Sequence, residues 1–118
     1  MDRHLEWVKD AVKFRSLTHP LRSSHWPRVR EQWLKDHPWC AACGFTDSVQ
    51  VHHKVPFHID RLKELDPSNF ITLCESAERG NHHLHIGHDG DWKDFNADVE
   101  ADARANFLRL QFERPVES

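Results

Sequence analysis

The chain holds no tyrosine, one methionine, four glycines and three cysteines in 118 residues. Three cysteines cannot all pair, which argues against a disulfide-stapled scaffold and for thiolates kept in a reducing compartment. No apolar run approaches the ~20 residues that cross a bilayer, so a helical membrane span is excluded. No signal-peptide pattern opens the chain, since Met1-Asp2-Arg3-His4 leads straight into an amphipathic segment, and the expected location is cytoplasmic. A surplus of positive charge is missing as well. Sixteen Lys and Arg face 19 Asp and Glu, a formal net charge of −3 rather than the basic total of a typical nucleic-acid binder. Repeats and low-complexity stretches are absent. What remains has the length of one domain. Its 38% hydrophobic content makes a modest core, of the kind that commonly needs a staple such as a metal.

What the chain has in quantity is histidine, eleven in all. In the middle of the sequence these interleave with the cysteines. Cys40-x2-Cys43 precedes Val51-His52-His53-Lys54-Val55-Pro56-Phe57, and Cys74 precedes Asn81-His82-His83-Leu84-His85-Ile86-Gly87-His88. The sulfur-rich set suits a structural zinc. The imidazole set suits a hydrolytic metal together with a general base. Two sites of different chemistry within about fifty residues point to a small metallonuclease. Charge is also uneven. Segment 13–35 carries Lys13, Arg15, Arg22, Arg28, Arg30 and Lys35 against Glu31, while segment 89–102 carries Asp89, Asp91, Asp94, Asp98, Glu100 and Asp102 against Lys93. Such a gradient orients a polyanion on one face or marks two solvated helices.

Periodicity predicts a helix over 3–14 and a second from Pro27 to Asp36, with proline at its first turn and Val29, Trp33 and Leu34 as its apolar stripe. Cys40 to Gly44 reads as a tight knuckle. Residues 48–53 alternate as a strand, with Val49 and Val51 on one side and Gln50 and His52 on the other. Phe70 to Cys74 reads as a second strand. A helix opens near His82, and a last one, capped by Asp94 or Asn96, runs to about Phe112.

These motifs, in this order, resemble the HNH endonuclease family. The matching pieces are Cys40-Ala41-Ala42-Cys43-Gly44, Val51 to His58, Glu64 to Cys74, and His82-His83 with Gly87-His88. The resemblance implies an α+β fold of the ββα-metal type: a two-stranded antiparallel hairpin and a helix, flanked by N- and C-terminal helices. It covers residues 26–96, leaving 1–25 as a helical extension and 97–118 as a C-terminal helix of one nuclease domain. It implies that His52 binds metal, that His53 is the general base, that Asn69 fixes the base across the hairpin, and that His83 is a metal ligand at the helix start. Many relatives have Cys-His where this chain has His82-His83, so His82 stands in place of the fourth zinc cysteine, with Cys40, Cys43 and Cys74 as the other ligands.

The residues leave some roles open. His52 and His53 are neighbours on a strand and face opposite sides, so a bend is needed for both to approach one phosphate. His88 lies five residues beyond His83 rather than four; Gly87 could loosen the turn and make it a third ligand of the hydrolytic ion, a phosphate contact or a helix-end cap. His85 falls outside the metal shell. His58 either packs or touches phosphate. Arg22, Arg28 and Arg30 are candidate phosphate contacts, which position a substrate without reading it. Trp26 and Trp92 are the tryptophans expected to be partly exposed. The function expected is a divalent-metal-dependent endonuclease (Mg2+, Mn2+ or Ni2+, beside structural Zn2+) that nicks or cuts DNA. The other class is a non-catalytic zinc-ribbon-like nucleic-acid-binding module, which has no need of His53, Asn69 and His83 together. The residues do not decide between monomer and dimer.

Overall fold

The computed structural model describes residues 22–113. The helix expected over 3–14 lies outside them. Helix α1 spans Trp26–Asp36, strand β1 Val49–His53, strand β2 Phe70–Cys74 and helix α2 Val99–Glu113. Between the strands lie two short 3-10 turns, Arg61–Lys63 and Pro67–Asn69. A third, Ala77–Arg79, follows β2 and leads into a single π turn, His83–Gly87.

β1 and β2 form a two-stranded antiparallel hairpin, with Val49 opposite Cys74, His52 opposite Ile71 and His53 opposite Phe70. This hairpin with helices at both ends is the α+β, ββα-type arrangement that the motifs imply. The third member of the ββα unit is shorter than a helix, one π turn of five residues.

Two apolar clusters cover the hairpin. Val51, Phe70, Leu65 and Val29 form one with Trp26, Trp33 and Leu34 of α1. Ile71, Leu73, Cys74, Cys40, Ala42, Val99 and Ala103 form the other, with Val49 and Ile86 against it. Val49 and Val51 therefore serve different clusters, although alternation puts them on one face. Val49 opens the strand directly after Ser48, whose φ is +54°, and two-stranded ribbons twist strongly, which turns the strand's first residue toward the cysteines.

Local chemistry accounts for the turns. Asp60 accepts the Leu62 N–H and Asp66 accepts the Ser68 N–H, each at 3.0 Å, starting the two 3-10 turns of the excursion. Pro27 sits in the first turn of α1. Asn96 accepts the Asp98 N–H at 2.9 Å just before α2. No helix among the described residues is long and apolar enough to cross a membrane.

Candidate metal centres and active site

The knuckle docks onto β2 by its backbone. Ala41 N–H donates to Thr72 O at 2.8 Å, and Gly44 N–H closes the turn on Cys40 O at 2.8 Å. Gly44 has φ +80°, and a Cβ there would meet Phe107 of α2 at 3.3 Å, so glycine serves both the turn and the packing. This brings Cys40 and Cys43 to Cys74, at the end of β2, and to His82, just before the π turn. The four form a group whose ligand atoms lie within 4.8 Å of one another. Cys43 Sγ is 3.9 Å from Cys74 Sγ, and His82 Nδ1 is 3.6 Å from Cys40 Sγ and 3.4 Å from Cys74 Sγ. A tetrahedron built on Zn–S and Zn–N bonds of ordinary length has edges of about 3.8 and 3.6 Å. The distances are those of zinc ligands, and far too long for a disulfide. The donor set thus fits a structural zinc. Burial pushes the Cys43 thiol up to about 12 and raises Cys40 as well, so a bound cation is what would hold these groups as thiolates.

On the other side of the π turn lies a second group, His52, His83 and His88. The ring centroids stand 5.1 Å (His52–His83), 4.8 Å (His52–His88) and 4.9 Å (His83–His88) apart. The five-residue spacing of His83 and His88 is resolved by the π turn. Its hydrogen bonds run from residue i+5 back to i, His88 N–H to His83 O at 3.0 Å, so residues five apart share a face. Each outer ring is oriented by an acceptor that the sequence did not single out. Glu75 Oε2 lies 3.0 Å from His83 Nδ1, and the Asp94 carbonyl accepts from His88 Nδ1 at 2.8 Å. Such partners fix the tautomer and leave Nε2 as the ligand atom. His52 is 2% exposed, and its Nε2 is buried with no hydrogen-bond partner. A buried orphan nitrogen is costly and is what a metal ligand looks like without its ion. Burial, then the two other imidazoles, lowers His52 to about 3, and burial also lowers His83. Neutral rings are the form that binds metal.

Gly87 makes this geometry possible. A Cβ there would stand 3.0 Å from His52 Nδ1 and from Leu73 Cδ1, and 3.1 Å from His52 Cε1, and both side chains are buried core groups. Gly87→Ala is therefore expected to destabilise the fold by ~1–3 kcal/mol through overpacking and to weaken metal binding by the imidazoles. Thermal melts and Mn2+ titration calorimetry check this. Unchanged melting and affinity would mean that the π turn can back away from β1.

His53 points to the opposite face of β1, as alternation requires, and lies against Trp26 and Phe70 with centroids 4.5 and 5.3 Å away. Trp26, expected to be partly exposed, is thus a support for this ring. His53 Nε2 donates to the Glu64 carbonyl at 2.8 Å. A carbonyl only accepts, so in the neutral ring the lone pair falls on Nδ1. Burial, with smaller contributions from Arg22 and His83, lowers His53 to about 4, and the ring is neutral at pH 7. The side-chain hydrogen bonds of Asn69 go elsewhere. The Asn69 Oδ1 accepts the Val55 N–H at 2.8 Å, and Nδ2 donates to the Val55 and Lys63 carbonyls at 3.0 and 3.2 Å. It pins the chain that leaves the base, two residues on.

A cleft of about 390 Å3 is lined by residues from both faces, His53 with Arg22, Phe57 and His58, and His52 with His83, His88 and Trp92. Of the three arginines singled out by charge, Arg22 alone lines it. Arg30 donates to Gln50 Oε1 at 2.6 Å, and Arg28 is exposed on α1. Trp92 is 52% exposed at the rim, with its ring 5.1 Å from His83 and 5.0 Å from His88. His85 stands outside both metal-binding groups.

Residues 40–84 match the family model described as HNH endonuclease; both metal-binding groups reach into that segment, and the cysteine–histidine cluster is compatible with the zinc-knuckle subgroup of that family. No curated protein and no solved structure matches the chain.

Proposed function

We propose that this chain is a divalent-metal-dependent endonuclease that hydrolyses DNA phosphodiester bonds. The observation that carries the reading is the buried, partnerless Nε2 of His52 in a three-imidazole group that opens on the same cleft as His53. A binding module has no use for an orphaned nitrogen beside a desolvated, neutral imidazole. A divalent cation held by His52, His83 and His88 would supply positive charge for the phosphate and the leaving oxygen. His53 takes the proton of the attacking water on Nδ1. Arg22 contacts the phosphate, and Asn69 keeps the 54–63 segment from moving the base. The acidic residues around Trp92, among them Asp89, Asp91 and Asp94, draw cations to the imidazoles and turn phosphates toward the Arg22 wall. The zinc group braces the start of the π turn, since His82 and His83 serve different metals. The three thiols, unpaired and grouped about one point, support a reducing cytoplasmic setting.

The test is supercoiled plasmid incubated with Mg2+, Mn2+, Ni2+ or EDTA. One site per chain predicts nicked circles before linear DNA, no cutting in EDTA, and better rates with Mn2+ or Ni2+ than Mg2+, since imidazoles prefer borderline metals. His52→Ala and His83→Ala should shift the metal titration to higher concentration. Binding without cutting under every metal would leave the non-catalytic module standing instead.

A further inference from the structure

Glu64 is 1% exposed, the one carboxylate among the described residues buried as deeply as the core. An ionised carboxylate at such a place is costly without charge and hydrogen bonds. Its Oε1 and Oε2 accept the Ser23 N–H at 3.1 and 3.2 Å, and Oε2 pairs with Arg22 Nε at 3.1 Å. Its own main-chain carbonyl is the acceptor of His53 Nε2 at 2.8 Å. One residue therefore grips both the arginine of the cleft and the neighbouring imidazole, each through a different group.

The arginine is held on its faces as well. Its Cζ lies 5.0 Å from the Phe57 ring and 5.6 Å from the Trp26 ring, and Trp26 packs in turn on His53. With Nε used by Glu64, the remaining donors are the four N–H groups of the two Nη atoms, the edge that grips phosphate oxygens in pairs. The side chain is still 47% exposed and lines the cleft. A half-exposed arginine ordinarily loses much rotamer freedom when it binds; here a buried carboxylate and two rings hold it beforehand. Stability alone is a poor account of the pair, because the hydration lost by the buried Glu64 carboxylate offsets much of the attraction.

We propose that Glu64 is a positioning residue for phosphodiester cleavage, presenting Arg22 to the substrate phosphate in fixed register with His53. This rests on the nuclease reading above. Arg22→Ala, Glu64→Gln and the double variant are compared as zinc-loaded full-length protein in steady-state DNA cleavage. Each single change is expected to lower kcat/KM by ~10–100-fold, the scale of a misplaced contact. The double variant should be no more than about twofold worse than Arg22→Ala, because Glu64 acts through that side chain; losses that multiply would overturn the proposal. Added ethylguanidinium should restore cleavage severalfold in Arg22→Ala and not in the double variant. A purely structural Glu64 would allow equal rescue in both, which would also overturn it. If melting and zinc content show that Glu64→Gln does not fold, Arg22→Ala decides: rescue by ethylguanidinium supports a preformed seat, and no rescue overturns it. A wild-type protein that cuts no DNA with any metal defeats the nuclease reading, whereas a cutting wild type matched by Arg22→Ala defeats this proposal alone.

Discussion

Replacing His53 by alanine is expected to lower cleavage by ~10²–10⁴-fold, the usual worth of a general base, with zinc content retained. The argument is geometric first. The Glu64 carbonyl takes the proton on Nε2, so the lone pair sits on Nδ1, and the ring lines the cleft that the three-imidazole group also lines. Burial lowers the ring to about 4, so it stays unprotonated throughout the neutral range. Because His53 is 9% exposed and packs on Trp26 and Phe70, alanine also leaves a cavity. His53→Gln separates the two effects: it keeps most of the volume and cannot act as a base. Single-turnover nicking at saturating metal should be slow in both variants, while the melting temperature falls mainly in the alanine one. A wild-type rate in either variant would remove His53 from the role.

The pieces legible in the sequence are those set by local chemistry. Phe70 to Cys74 reads as a strand from its composition alone, and the C-x2-C knuckle carries its metal chemistry in its spacing. The π turn was half legible. Gly87 and the five-residue step from His83 to His88 hinted at a loosened turn, but only the packing shows why: Gly87 lies on His52, and a side chain there would strike the ring at 3.0 Å. Glu64 was the residue most easily overlooked. Within its segment it looks like a solvated acid of a short turn, yet Ser23 and Arg22, which hold it, lie 41 and 42 positions away. Glu75 meets His83 only eight positions on, through a turn that the motif spacing does not show. Charge pattern does not rank the arginines, since Arg22, Arg28 and Arg30 count equally in a sum, whereas the fold joins Arg30 to Gln50 and sets Arg22 in the cleft.

The other large effect belongs to the thiols. Purified protein is expected to carry one tightly held zinc per chain, apart from the exchangeable ion of the imidazoles, and Cys40→Ser is expected to abolish folding rather than turnover alone. Cys40 is 1% exposed, and Cys74 is fully buried. Both belong to the apolar cluster that joins β2 to α2, so a ligand lost here is lost from the core. Since the unfolded chain has no preformed site, binding free energy becomes folding free energy, ~10–16 kcal/mol for comparable zinc peptides, which is comparable with the whole stability of a native domain. His82 allows a finer test. Its Nδ1 closes a set of three thiols at tetrahedral distances, so His82→Cys should keep the zinc, and His82→Ala should lower its retention as the fourth position passes to water. Atomic absorption on gel-filtered protein, with far-ultraviolet circular dichroism before and after chelation, reads both effects. Zinc-free protein that keeps its fold and melts as the wild type does would show that the apolar cluster holds the knuckle without a metal, and His82→Ala with undiminished zinc would take His82 out of the ligand set.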